Sequence, residues 1–144
     1  MLSFVEKMFR RLEEYQTPVW IISFPEGTRI RPKKLARSQE FARARGLPLL
    51  ENVLLPRSRG FIATLTHMRN SVDGVYDLTI GYPHGIPSIR HYAMGIMSEV
   101  HLHVRRYPSA SLPLNREEQE AWLLQRFQEK DRLMAHFLRH KRFT

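Results

Sequence analysis

Leu2, Val5, Phe9 and Leu12 recur at the spacing of one helical face, which predicts an amphipathic helix over residues 2–15, stopped by Thr17-Pro18. The pattern then loses its helical period. Val19-Trp20-Ile21-Ile22 is a continuous apolar, β-branched run, and residues 19–24 read as a buried strand that Pro25 ends. Pro32 suits the first turn of a second helix and Gly46 its end. Residues 52–55 predict a second short buried strand ahead of Pro56, residues 60–68 a helix, and residues 75–80 a third strand by alternation. Glycines and prolines from 81 to 88 mark an irregular loop. Val100, Leu102 and Val104 then alternate with His101, His103 and Arg105, predicting a half-buried strand with its histidines on a solvated face. Asn115 followed by Glu118 has the form of a capping box, and Leu123, Phe127, Met134 and Leu138 keep one apolar face on the helix that follows.

Strands alternating with helices place the chain in the α/β class, with a small sheet of four strands flanked by helices. A sheet that small leaves an edge or a face wanting a partner. A length of 144 residues with 42% hydrophobic content suits one domain with a core of its own. Cysteine is absent, which excludes disulfides and thiolate metal sites. No apolar run approaches the roughly 20 residues that span a bilayer, and the N-terminus lacks the basic-then-apolar order of a secretion signal.

Charge narrows the partner class. The net charge of +9 is concentrated between residues 29 and 59, where nine arginines and lysines meet only Glu40 and Glu51. Such a field attracts nucleic acid, anionic lipid or a phosphorylated small molecule. A nucleic-acid surface would interleave aromatic rings for base stacking, and Phe41 is the one aromatic residue in that window, so no nucleic-acid partner is expected.

The candidate site is Phe24-Pro25-Glu26-Gly27-Thr28-Arg29, which follows the first apolar run and opens the basic stretch. Arg29 can grip a phosphate through two parallel charge-assisted hydrogen bonds. Thr28 adds a neutral donor, and Gly27 lets backbone approach closely. Glu26 would repel phosphate, so its role is to accept from a hydroxyl or to hold an arginine. Leu54-Leu55-Pro56-Arg57 repeats the arrangement, and two neighbouring strands would set Arg29 and Arg57 on one rim, where open α/β sheets bind ligands. His101 with His103, and His136 with His140, share faces but lack a third ligand or an adjacent glutamate, so no metal site is expected. Tyr92, Met94 and Met97 read as packing residues. No serine or threonine has an identifiable histidine partner, so no catalytic residue is assigned.

At these residues the chain resembles the glycerolipid acyltransferases. Residues 21–29 look like that family's Phe-Pro-Glu-Gly-Thr-Arg block, and Val53-Leu54-Leu55-Pro56-Arg57 like its following strand-proline block. The likeness extends through Ser58-Arg59-Gly60-Phe61, residues 75–79, residues 99–106 and Ala121-Trp122-Leu123, in the manner of the eukaryotic lysocardiolipin and lysophosphatidylinositol branch. The resemblance implies transfer of an acyl group from acyl-CoA, a co-substrate rather than a bound cofactor, to the free hydroxyl of a lysophospholipid such as lysophosphatidic acid. It implies that Arg29 holds the lipid phosphate while Glu26, Gly27 and Thr28 shape the glycerol site. The basic stretch from Lys33 to Arg45 would meet anionic lipid or coenzyme A phosphates. The family's Asn-His-X4-Asp catalytic block is missing, and the 25 residues ahead of Glu26 contain neither histidine nor aspartate. The expectation is therefore a partial acyltransferase domain over residues 1–144, with an acceptor-binding core over about 1–80 and a C-terminal extension over about 81–144, inactive without the missing N-terminal half. The alternative is a non-catalytic anionic-lipid-binding protein. Family membership implies an intracellular membrane surface, the endoplasmic reticulum first among them.

Overall fold

A computed structural model of the chain describes residues 4–15, 18–96 and 99–143. In order along the chain are α1 (Phe4–Glu14), α2 (Pro32–Ala44), α3 (Ser58–Met68), β1 (Gly74–Gly81), α4 (Ile89–Ala93), β2 (His101–Pro108), a 3-10 turn at Ser109–Ser111, and α5 (Arg116–His140). The fold mixes helices with a two-stranded antiparallel sheet. Leu2 and Thr17, which bear on the predicted limits of the first helix, and Met97 lie outside the described residues.

Helix α5 organises the molecule. The Asn115 carboxamide oxygen accepts from the Glu118 N–H at 2.8 Å, so the capping residue does what the sequence pattern required. Glu117 and Glu118 lie in the first turn, and Arg139 and His140 in the last, which matches the helix dipole at both ends. Leu123 and Phe127 are buried with Leu50 and Val53, and Leu55, Phe61, Trp122 and Met134 pack around them. The Phe61 and Trp122 rings stack 5.5 Å apart. The apolar stripe ends on Phe137, which is buried, and not on Leu138, which is 52% exposed. A step of three from Met134 to Phe137 keeps the stripe facing the sheet. There the Phe137 ring lies over Gly81, where any β-carbon would fall 2.5 Å from it.

Two of the four expected strands do not form. Residues 19–24 have no strand pairing, and Val19, Trp20, Ile21, Ile22 and Phe24 are all exposed. Composition makes a strand favourable, but a strand needs a ladder with a neighbour's backbone, and none forms here among the described residues. Residues 52–55 are buried at Val53 and Leu54 as expected, yet their N–H groups bond to side chains instead of a ladder. The Asp131 carboxylate takes the N–H groups of Asn52 and Val53, and Ser38 Oγ takes that of Leu55.

β1 and β2 do form, in a register that pairs Leu78 with Val104 and Ile80 with Leu102. β1 includes Gly81, so the irregular loop begins one residue later, and the short helix α4 follows it. The orientation of β2 reverses the expected one. His101 packs edge-on against Phe137 and His103 lies beside Phe143, on the α5 side, whereas Leu102 and Val104 are 59% and 51% exposed. The cause is the face that α5 offers. Its Lys130 pairs with Asp77 and donates to the Leu78 carbonyl at 2.6 Å, Glu129 pairs with Arg105 at 2.9 Å, and Arg126 donates to the Tyr107 hydroxyl at 2.7 Å. A charged helix face draws the polar side of the ribbon inward and leaves the apolar side out.

Candidate functional site

Phe24 to Gly27 close a tight turn, with the Gly27 N–H donating to the Phe24 carbonyl at 2.9 Å. Gly27 sits at φ +66°, a backbone region that costs a glycine little and other residues considerably more. The turn is fastened to the 54–57 segment. Arg57 donates its N–H to the Pro25 carbonyl at 2.8 Å, and the Arg57 side chain lies along Gly27, 3.4 Å from where a β-carbon would stand. Glu26 is half-buried, and the Leu54 backbone hydrogen-bonds to it. Burial raises its pKa above the usual carboxylate value, with the Leu54 bond and the Lys130 charge opposing the rise.

The structure thus brings Glu26, Gly27 and Arg57 together without the two strands that were expected to deliver them. Thr28 and Arg29 extend beyond the turn and are exposed. Among the described residues no carboxylate pairs with Arg29, so its guanidinium donors face solvent. The segment is held from behind. The Asp131 carboxylate accepts the N–H groups of Glu51, Asn52 and Val53 at 2.9, 2.6 and 3.3 Å, Asn52 Nδ2 donates to the Asp131 carbonyl at 3.2 Å, and Gln39 donates to the Leu50 carbonyl at 2.9 Å.

Asp131 and Lys130 are residues that sequence reasoning missed. In the sequence they are two charges on a long charged helix, Asp131 some 80 positions from the loop it secures and Lys130 about 50 from the β1 residues it holds, and no local pattern distinguishes them. The arginines and lysines of α2 at 33, 34, 37 and 43 are exposed, as a solvated cationic face would be.

A cleft of about 450 Å³ lies elsewhere, between β2 and α5, lined by His103, Arg105, Glu129, Arg132, Leu133 and His136. The His136 and His140 rings lie 4.3 Å apart. Desolvation lowers the pKa of His136, and His140, Arg139 and Arg142 lower it further. Among the described residues no group of three histidines or carboxylates is placed to hold a metal ion, and no helix is long and apolar enough to cross a membrane.

The family described as acyltransferase C-terminus matches residues 94–144. The chain is 44% identical over 126 residues to the probable 1-acyl-sn-glycerol-3-phosphate acyltransferase 5 of Arabidopsis thaliana, covering 87% of this chain and 34% of that protein. It is 38% identical over 124 residues to mouse lysocardiolipin acyltransferase 1, covering 83% of this chain and 33% of the relative. It is also 38% identical over 125 residues to human 1-acyl-sn-glycerol-3-phosphate acyltransferase gamma, covering 86% of this chain and 33% of the relative. No solved structure matches. The chain spans about a third of the length of these relatives. With the Phe-Pro-Glu-Gly-Thr-Arg turn and the strand-proline segment lying side by side, and with these matches over most of its length, the chain belongs to the 1-acylglycerol-3-phosphate and lysocardiolipin acyltransferase family.

Proposed function

We propose that this chain supplies the lysophospholipid-binding part of an enzyme that transfers an acyl group from acyl-CoA to the free hydroxyl of a lysophospholipid such as lysophosphatidic acid, in phospholipid synthesis or remodelling. The observation that carries the proposal is the exposed Arg29, without a carboxylate partner among the described residues, next to a turn fixed by the Arg57 N–H to Pro25 carbonyl bond. A solvent-facing guanidinium suits a phosphate monoester, and the Arg57 side chain lies along Gly27 of the neighbouring turn. Gly27 keeps the rim open to a ligand's backbone-side approach, and Thr28 offers a hydroxyl to the glycerol. Glu26, whose pKa burial raises, can exchange a hydrogen bond with a glycerol hydroxyl.

Acyl transfer requires the acceptor oxygen to attack the thioester carbonyl, lose its proton to a base, and release coenzyme A as the thiol. Base assistance is worth roughly 10²–10⁴-fold. The sequence has no Asn-His-X4-Asp block, so in this reading the base and its orienting aspartate are supplied from outside these residues. The working surface is an anionic intracellular membrane, at the endoplasmic reticulum or a similar compartment, which the exposed cations of α2 would approach. The lack of that block also favours a second reading, an anionic-lipid-binding protein without turnover.

Labelled acyl-CoA and lysophosphatidic acid, supplied to the chain alone and to the chain joined behind the preceding region of the Arabidopsis relative, separate the two. Turnover in the joined protein only supports the enzyme reading. Lipid binding with no turnover in either supports the second.

A further inference from the structure

We infer that the cleft between β2 and α5 is a binding site for a phosphate group, with Arg132 and His136 of α5 and His103 of β2 as its grip. The inference is independent of the Arg29 reading, because no residue of the Glu26–Arg29 turn lines the cleft. Glu129, Arg132, Leu133 and His136 stand at i, i+3, i+4 and i+7 of α5, so helical spacing sets them on one face. His103 and Arg105, two apart on β2, form the facing wall. The volume of about 450 Å³ admits a phosphate together with part of the group that carries it.

Charge selects the ligand. Glu129 is the carboxylate of the cleft, and two arginines already hold it: Arg105 takes one oxygen and Arg126 the other, each at 2.9 Å. Lys130 is engaged with Asp77 of β1. Arg132 is exposed, and its Nε donates at 3.4 Å to the Gln128 carbonyl of its own helix. Its terminal nitrogens meet no carboxylate among the described residues. Residues 132–144 add Arg139, Lys141 and Arg142 and contain neither aspartate nor glutamate. His136 is half-buried amid this surplus, with its ring 4.3 Å from that of His140. Desolvation lowers its pKa, and His140, Arg139 and Arg142 lower it further, so an entering anion would relieve the wall. A metal cation would meet repulsion there instead. A carboxylate ligand has two oxygens, and the planar fork of Arg132 would use both. A phosphate keeps a further oxygen for the histidines on either wall, whose protonated rings donate from both nitrogens.

A lipid headgroup and a soluble phosphate ester share this chemistry, and the test separates them. The histidine rings of the chain are followed by NMR as pH is varied, with the His136 signal identified by its loss in His136→Gln. The probes are glycerol 3-phosphate and dihexanoyl phosphatidic acid, with sodium chloride of equal ionic strength as the control for screening. The expected result is a His136 titration midpoint that rises with a phosphate probe and not with the salt, while His91 on α4, outside the cleft, responds alike to both. A rise with both probes identifies a site for phosphate esters in solution; a rise with phosphatidic acid alone identifies a lipid headgroup site. Arg132→Gln should weaken the effective probe about tenfold, the loss of a charged hydrogen-bonding partner. His103→Gln, on the opposite wall, gives the same reading if that variant does not fold. A His136 midpoint unmoved by either probe would overturn the inference. So would an equal rise with sodium chloride, or unchanged affinity in both variants. Arg29→Ala should leave the His136 response as it was, which keeps failure of the cleft distinct from failure of the turn; a response lost in that variant would mean that phosphate held at the turn is being read, and would also sink the inference.

Discussion

Replacing Asp131 by alanine should loosen the loop that carries Arg57, and its size can be worked out. One carboxylate oxygen accepts three backbone N–H groups, at 2.9, 2.6 and 3.3 Å. A hydrogen bond to a charged acceptor is worth about 1.5–3 kcal/mol. The three share one oxygen, the longest is weak, and Glu51 is exposed so that water can replace the carboxylate there. The sum therefore falls well below three full bonds. Alanine also recovers about 0.5 kcal/mol of helix propensity over aspartate. The expected loss is about 2–3 kcal/mol, a large share of the 5–15 kcal/mol typical of a folded domain. Urea unfolding followed by circular dichroism should show a midpoint lowered by about 1 M at a slope of roughly 2 kcal/mol/M, with the slope unchanged. Asp131→Asn keeps an acceptor oxygen and should lose only about 1 kcal/mol, which keeps the test readable if the alanine variant does not fold. An alanine variant with a wild-type midpoint, and with N–H exchange at 51–53 no faster than before, would refute the reasoning.

Other outcomes follow from single contacts. Arg29→Ala should weaken binding of lysophosphatidic acid by about 1.5–3 kcal/mol with the fold intact, measured by vesicle-free calorimetry; unchanged affinity removes Arg29 from the site. Gly81→Ala should push the Phe137 ring out of place and cost about 1–3 kcal/mol, read as a lowered thermal midpoint, because the added carbon would stand 2.5 Å from that ring. Glu26 binds its proton more tightly folded than unfolded, since burial raises its pKa, so its contribution favours the folded state at acid pH and is lost as pH rises through the carboxylate range. Glu26→Gln should therefore raise the urea midpoint at pH 7 and bring a smaller gain near pH 4; a variant less stable than wild type at pH 7 would mean that the Lys130 attraction outweighs desolvation.

Local signals were read correctly wherever they were self-contained. Pro32 opens α2, Asn115 caps α5 and residues 60–68 are helical within α3, because each depends on atoms within a few residues; alternation also marks β1 and β2, which found a partner in each other. The turn at Gly27 and its neighbour Arg57 were visible as motifs for the same reason. Residues 19–24 show the opposite case: their β-branched, apolar composition was plain, but a strand is a pairing between segments and that run forms no ladder among the described residues. Residues 52–55 were plain too, yet Asp131, about 80 positions away, takes the N–H groups of Asn52 and Val53, and Ser38 takes that of Leu55. Period alone could say that β2 has an apolar side and a histidine side. Which side faces in was decided by the charges of α5, whose Glu129 and Lys130 pair across to Arg105 and Asp77. Sequence by itself determined where the chain can bend, coil and extend; only the tertiary structure decided which backbone groups meet and which apolar side stays uncovered, because those outcomes depend on what the rest of the molecule places opposite.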